Sequence, residues 1–307
     1  MADAVVIGAN GFIGSHLVDG LVDAGHSVRA FDRFSSRRPT FQRPAEVMVG
    51  EFLSRADLEA AVAGQDYVFH FLSTTTPATA EGDPTLDIRT NLAQTIELLE
   101  ASVQAGVRRF YLASTGGAIY GDQGKREYSE LDATVPVSPY AIGKLAIEQY
   151  LRFFRVKHGL ESTVFRISNP YGTRQHPSKK QGLIPIALRQ ILNGEPVVQF
   201  GDGSMVRDYL FVEDLVRMIV PLTERATEYD LYNIGSGEGH TVEEVLAALR
   251  RVTETDFAIE RRPTPPTFVD HVVLDTGRYR TEFGEMPLTP LDEGIRKTYI
   301  ELKEEPQ

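Results

Sequence analysis

Residues 4–25 read AVVIGANGFIGSHLVDGLVDAG, and SVRAFD follows almost at once. A short β-branched run passes through glycines at 8, 11 and 14 into an amphipathic stretch, and a second apolar run comes after it. A strand, a tight turn, a helix and a second strand are thereby specified within 30 or so residues, and that unit forces parallel strand pairing. Lacking Cβ atoms, the three glycines permit the turn and let backbone N–H groups approach an anion at the positive end of the helix. Asp32 ends the second run, 18 residues after Gly14. That is close to the spacing at which a carboxylate takes the ribose hydroxyls of NAD, and a carboxylate there repels the 2′-phosphate of NADP. The motif therefore predicts NAD, with Arg33 beside Asp32 as the one residue that suits NADP.

The alternation continues. Residues 4–7, 27–31, 46–49, 67–71, 109–113 and 162–167 have strand patterns, and 13–24, 56–63, 85–105 and 140–158 have helical periodicity. Strands alternating with helices predict an α/β fold with a parallel sheet covered on both faces. After residue 169 the pattern turns to loops, with helices at 183–192 and 242–252. The expected division is a dinucleotide domain over 1–168, to which 207–234 returns, and a smaller substrate-binding region over 169–206 and 235–307.

A net charge of −11 disfavours a nucleic-acid partner, whose affinity rests on clustered Lys and Arg. The pairs Arg37–Arg38, Lys179–Lys180 and Arg261–Arg262 are read as solvated surface or local anion contacts. With no cysteine there is no disulfide, thiolate ligand or thiol nucleophile. No metal is expected, because no His and carboxylate cluster has ligand spacing. His16 and His70 are read as packing residues and His176 as exposed or substrate-adjacent. No stretch approaches the ~20 apolar residues of a membrane helix, and the first strand begins too early for a leader. A cytoplasmic location without membrane contact is expected.

The chemistry concentrates in two segments. LASTGGAIYG places Ser114 and Thr115 at the end of a strand with two glycines behind them, where ligands collect on a parallel sheet. SPYAIGKLAIEQYL opens a helix with Tyr140 and Lys144 on one face. A fixed cation lowers the proton affinity of a nearby phenol, which makes Tyr140 a candidate proton carrier.

Taken with VGEF, VFHFLS, RTNLAQT, RISNPYG, GDGSMVRDYLFVEDL and YNIGSG, these motifs resemble the extended short-chain dehydrogenase/reductase family, and within it the nucleotide-sugar epimerases. The resemblance covers nearly the whole chain. It implies a Rossmann-type doubly wound parallel sheet with a smaller C-terminal substrate-binding region. It assigns the NAD pyrophosphate to Gly8, Asn10, Gly11, Phe12, Ile13 and Gly14, and the adenosine ribose to Asp32 with Arg33. Glu51 and Phe52 flank the adenine, while Phe71, Leu72, Ser73, Thr75, Asn91 and Ser114 line the cofactor groove. Tyr140 and Lys144 match the catalytic pair, and Lys144 also reaches the nicotinamide ribose. Asn169 and Arg207 match residues that hold the diphosphate of a nucleotide sugar. Two helices, over 85–105 and 140–158, often pack across a two-fold axis in the family, implying a homodimer.

Three departures stand out. The family's catalytic Ser or Thr often stands four residues before the Tyr of STGGAIYG, and Gly116 is there. Thr115 precedes it by one and lies 25 residues before Tyr140, a separation that resembles theirs, so Thr115 takes the role with Ser114 as substitute. An Arg-Pro-x-Asp segment that contacts phosphate and uridine ribose is replaced by Pro265 and Phe268, with Arg261 or Arg262 as compensation. A bulky gatekeeper is matched by Val272. The activity implied is inversion at C4 of a UDP-hexose through a 4-keto sugar. A 4,6-dehydratase is disfavoured because Gly116, Gly117 and Ala118 stand where it carries an acidic pair. A 4-keto-sugar reductase is the alternative, and a non-catalytic dinucleotide sensor is the remote one.

Overall fold

A computed structural model describes residues 1–34, 39–175 and 182–304. In chain order its elements are β1 (Asp3–Ile7), α1 (Phe12–Asp23), β2 (Ser27–Asp32), β3 (Glu46–Val49), α2 (Arg55–Val62), β4 (Tyr67–His70), α3 (Pro77–Gly82), α4 (Pro84–Asp87), a π turn (Ile88–Leu92), α5 (Ala93–Gln104), β5 (Arg109–Thr115), α6 (Gly116–Ile119), α7 (Pro139–His158) and β6 (Glu161–Ile167). Then come β7 (Asn169–Tyr171), α8 (Leu183–Leu192), β8 (Val197–Phe200), β9 (Val206–Phe211), α9 (Val212–Ile219), α10 (Pro221–Glu224), β10 (Leu231–Ile234), β11 (Gly239–Thr241), α11 (Val242–Thr253), β12 (Ile259–Arg262), β13 (His271–Val272), α12 (Gly277–Phe283) and α13 (Leu291–Glu304).

Seven strands form one sheet in the order β10-β6-β5-β4-β1-β2-β3. The ladders joining β3, β2, β1, β4 and β5 are all parallel. The order reverses between β1 and β4, which makes the sheet doubly wound. β1 sits between two neighbours, and four of its five residues are buried, as an apolar run covered on both faces must be.

Backbone contacts divide the chain into two compact units. The first comprises Met1–Thr115, Pro136–Arg166 and Val216–Tyr232; the second comprises Gly116–Val135, Ile167–Leu215 and Asn233–Gln307. Residues 116–135, assigned by sequence to the dinucleotide domain, fall in the second unit, and 207–215 stay there as well. The first unit packs α2, α5 and α7 on the sheet around Ile7, Phe31, Val68, Phe110 and Leu112. In the second, β9 is flanked by β11, β13 and β7, and α8, α11 and α13 enclose a separate core with Leu188, Leu246 and Ile295.

From residue 169 onward, β7–β9, β11–β13, α12 and α13 add to a stretch read mostly as loops, and two elements nearer the site also differ from the sequence reading. β5 runs on to Thr115 rather than stopping at residue 113, so the strand carries both hydroxyls. The single helix expected over 85–105 is broken into α4, the π turn and α5. Ala93 N–H reaches back to the Ile88 carbonyl, and the extra residue turns Asn91 into the interior. α7 matches its signals: Ser138 caps it by accepting from Ala141 N–H, Pro139 opens it, and Gly159 closes it at φ 70.

Candidate active site

The glycine turn is built by the glycines closing on one another. Gly11 N–H donates to the Gly8 carbonyl at 3.0 Å. A Cβ at Gly14 would overlap that same carbonyl, and one at Gly8 would lie 2.9 Å from the Leu72 backbone nitrogen. Gly8 also holds φ +91, which favours glycine. Gly11 caps α1 with no side-chain acceptor. The first amide groups of α1, at Phe12, Ile13 and Gly14, have no intrahelical acceptor, the arrangement that suits an anion. Asn10 is spent on the loop: its Oδ1 accepts Thr40 N–H at 2.9 Å, and its own N–H donates to Asp32 Oδ2 at 3.0 Å. The other Asp32 oxygen accepts Arg33 N–H at 2.7 Å. Each carboxylate oxygen keeps a lone pair for a ribose hydroxyl, so cradle and carboxylate together fit NAD.

The remaining groove residues divide. Glu51 is exposed, and its N–H donates to Asp57 at 2.8 Å. The Phe52 ring is buried and stacks on His70 at 5.2 Å, inside the core rather than open to an adenine. Phe71 and Leu72 are half-buried, and Ser73 Oγ donates to the Thr75 carbonyl at 2.9 Å. Thr75 and Asn91 are buried and bonded to each other at 2.8 Å, so they brace the groove from behind.

Tyr140 and Lys144 lie one turn apart on α7, with Lys144 Nζ 6.0 Å from the phenol ring centroid. Nζ donates to the Ala113 carbonyl at 2.9 Å. Burial brings the ammonium down to about 8, opposed by the charges of Asp87 and Glu148. The phenol departs from expectation: burial, and then the charge of Asp87, push it up to about 12. Lys144 alone does not prepare Tyr140 as a base. Thr115, at the end of β5, is half-buried. Ser114, its substitute in the sequence reading, has a buried hydroxyl that donates to Glu148 Oε1 at 2.5 Å. Glu148 in turn forms a buried pair with Arg166, at 2.7 Å to Nη2 and 3.2 Å to Nε. Sequence reasoning passed over this cluster, although Glu148 stands four residues after Lys144 on the same helix face. It also passed over Asp87, four residues before Asn91.

In the second unit, Asn169 and Arg207 come together on adjacent strands. Asn169 pairs with Tyr209, which shares a face of β9 with Arg207, and Asn169 Nδ2 donates to the Asp208 carbonyl at 3.2 Å. Arg207 donates to the carbonyls of Val206 and Asp270 at 2.8 and 3.3 Å. Burial lowers its proton affinity, the setting in which a guanidinium gains most from an anion. Val272, in register with Arg207, is buried. Pro265 is half-buried and Phe268 packs edge-on against Phe200 at 5.6 Å. Arg262 is exposed and donates to Glu260 at 2.8 Å, away from Asn169 and Arg207 in strand pairing, since β12 pairs with β8. Gly117 lies beside the Asn169 amide, which a Cβ there would touch at 3.4 Å.

His16 is buried edge-on to Phe12, and His70 is fully buried. His176, Arg37–Arg38 and Lys179–Lys180 lie outside the described residues. Among the described residues no group of three His, Asp or Glu side chains is placed to hold a metal, and no helix is long and apolar enough to cross a membrane.

A family model, NAD dependent epimerase/dehydratase family, matches residues 4–235. The chain belongs to this family. Its relatives in the epimerase/dehydratase family include the UDP-glucose 4-epimerase of Mycolicibacterium smegmatis, 34% identical over 301 residues and aligned over 96% of each chain. Among solved structures, the UDP-glucose 4-epimerase of Thermotoga maritima with UDP-glucose is 35% identical, with TM-score 0.91 over 98% of each chain. The UDP-glucose 4-epimerase of Thermus thermophilus in complex with NAD is 31% identical, with TM-score 0.90 over 98% of this chain and 99% of that one.

Proposed function

We propose that the chain is an NAD-dependent epimerase that inverts C4 of a UDP-hexose through a 4-keto intermediate. The observation that carries this reading is the Tyr140–Lys144 pair, with Lys144 anchored on Ala113 two residues before the Thr115 hydroxyl. The identity of 34% and 35% to UDP-glucose 4-epimerases supports the C4 chemistry. Residues 116–118, Gly-Gly-Ala, offer no acid for dehydration.

NAD, which the glycine turn and Asp32 would hold, would supply a reversible hydride acceptor. Tyr140 takes the proton of the 4-hydroxyl as the C4–H bond breaks and the carbonyl forms. Thr115 donates a hydrogen bond to that oxygen, and Lys144 supplies positive charge beside it. After the ketone has turned its other face, C4 would take the hydride back and Tyr140 returns the proton, so no net oxidation results. Asn169 and Arg207 are assigned to the diphosphate, and Arg262 to a secondary contact that its pair with Glu260 must release.

The same reading includes a homodimer, supported by exposed apolar side chains on the outer faces of the π turn and α7: Ile88, Ile142, Phe153 and Val156. Sedimentation of a Phe153→Glu variant as monomer, against a dimeric parent, is the check. A cytoplasmic location accords with a chain that has no cysteine to oxidise.

The test is to incubate purified protein, without added cofactor, with UDP-glucose, UDP-galactose and their N-acetyl analogues, following the sugars by anion-exchange chromatography and NMR. Interconversion of a C4 pair is expected. Turnover only of a 4-keto sugar, and only with added NADH or NADPH, makes the chain a reductase.

A further inference from the structure

Asp87 closes α4 and is 2% exposed. Two hydrogen bonds converge on one of its oxygens: Oδ1 accepts Thr75 Oγ1 at 2.5 Å and Asn91 Nδ2 at 2.7 Å. The other oxygen lies on α7, where a Cβ at Gly143 would overlap Oδ2. Gly143 stands three residues after Tyr140 and one before Lys144, so the carboxylate rests on the helical turn that bears both. Asn91 is fixed in its own right, its Oδ1 accepting Thr74 N–H at 2.9 Å and Thr74 Oγ1 at 3.0 Å. The anion is therefore clamped on one side by Thr75 and Asn91 and seated on the other in the gap that Gly143 leaves.

We propose that Asp87 is a positioning residue of the reaction: a fixed, buried anion that sets how readily the Tyr140–Lys144 pair exchanges its proton. The proposal rests on the reading of Tyr140 as proton carrier. No bond is made or broken at Asp87; its charge acts through space on the two groups that do the work.

The surrounding ionisable groups leave this part to Asp87. On β4, His70 is buried and kept neutral by burial and by the charge of Lys144. On α7 itself Glu148 acts on Lys144 but is paired with Arg166 of β6. Arg89 of the π turn is paired with Asp83 at the surface, at 3.0 Å. Glu81 of α3 is exposed, Glu97 of α5 is half-buried, and Glu100 of α5 pairs with Arg55 at 3.1 Å. Asp87 alone raises both members of the pair.

Asp87→Asn is the decisive variant. Since both hydrogen bonds arrive on Oδ1, an amide oxygen can keep them, and only the charge is lost. The Tyr140 titration is read as tyrosinate absorbance at 295 nm, by subtracting the same chain carrying Tyr140→Phe. Its midpoint is expected to fall by roughly one pH unit in Asp87→Asn. Asp87→Ala should move it the same way and Asp87→Glu should not. The acidic limb of kcat/KM for the C4 interconversion should shift downward in parallel. A folded Asp87→Asn protein whose titration stays put, with activity reduced equally at every pH, would overturn the proposal. So would failure of Asp87→Asn to fold, since the charge would then serve the fold itself. The absorbance titration needs no sugar, so it stands apart from whether UDP-hexoses are turned over.

Discussion

Lys144 Nζ donates to the Ala113 carbonyl at 2.9 Å, tying the buried ammonium of α7 to the strand that ends two residues later in Thr115. The bond spans the two elements that carry the chemistry, and it fixes the cation where its desolvation is costly.

That cost is measurable. With Lys144 brought down to about 8 from an ordinary 10.5, the unfolded chain binds more protons than the folded one between those values. Stability therefore rises with pH across that window. Lys144→Met should lose at least 100-fold in kcat/KM, yet gain ~2 kcal/mol at pH 7. The gain should fade between pH 8 and 10.5. Urea midpoints at three pH values, beside the turnover assay, check both halves.

Ser114 and Thr115 should separate cleanly. Thr115→Ala is expected to lower kcat by roughly 10- to 1000-fold with little change in denaturation midpoint. Ser114→Ala, which strips a buried hydrogen bond from Glu148, should cost ~1–3 kcal/mol of stability while retaining most of the rate. Equal rate losses in the two variants would show that the hydroxyl roles are shared.

Glu148→Gln leaves Arg166 buried without its carboxylate. A loss of roughly 3–5 kcal/mol is expected, read from guanidinium denaturation. Replacing both partners by apolar residues of similar volume should recover much of it, because the buried pair stabilises little beyond its own desolvation.

His70 is pushed down to about 3 by burial, with the charge of Lys144 adding to it. Its folded value lies below its unfolded one, so the unfolded state takes up a proton first as pH falls. Stability is intact above about 6.5 and declines by up to ~1.4 kcal/mol per pH unit from there toward 3. His70→Phe should flatten this slope in thermal melts between pH 6.5 and 4, at the loss of the 2.9 Å contact with Thr95.

Gly8→Ala places a Cβ against the Leu72 backbone at a φ that alanine resists. Reduced NAD content in the purified protein and a stability loss of ~1–3 kcal/mol are expected, measured by cofactor release and melting. Gly25, with positive φ and open space around it, serves as the comparison: alanine there should cost less and leave NAD content unchanged.

The alternation of main strands and helices through residue 167 was legible in the sequence because each signal is local: hydrophobic periodicity, glycine turns, and the Ser138, Pro139 and Gly159 punctuation of α7. The glycine turn was legible for the same reason, since Gly8, Gly11 and Gly14 fall within one short run of consecutive residues. What escaped depends on partners far apart in the chain. Ser114 looks like a free hydroxyl until α7 brings Glu148 beside it, 34 residues on. Phe52 looks like an adenine platform until His70 takes its face. Tyr140 beside Lys144 suggests a lowered phenol until burial and Asp87 reverse the sign.

The π turn over Ile88–Leu92 has a consequence for how this segment can vary. A residue inserted in a helix rotates everything beyond it by about 100°, and here that rotation turns Asn91 inward with Asp87 four positions away. Deleting one residue from the turn would give a smoother and intrinsically better helix. It would also swing α4 out of phase with α5, carrying the carboxylate off the face of α7. The segment's length is thus under tighter control than its composition, and a single-residue deletion there should be worse tolerated than most substitutions.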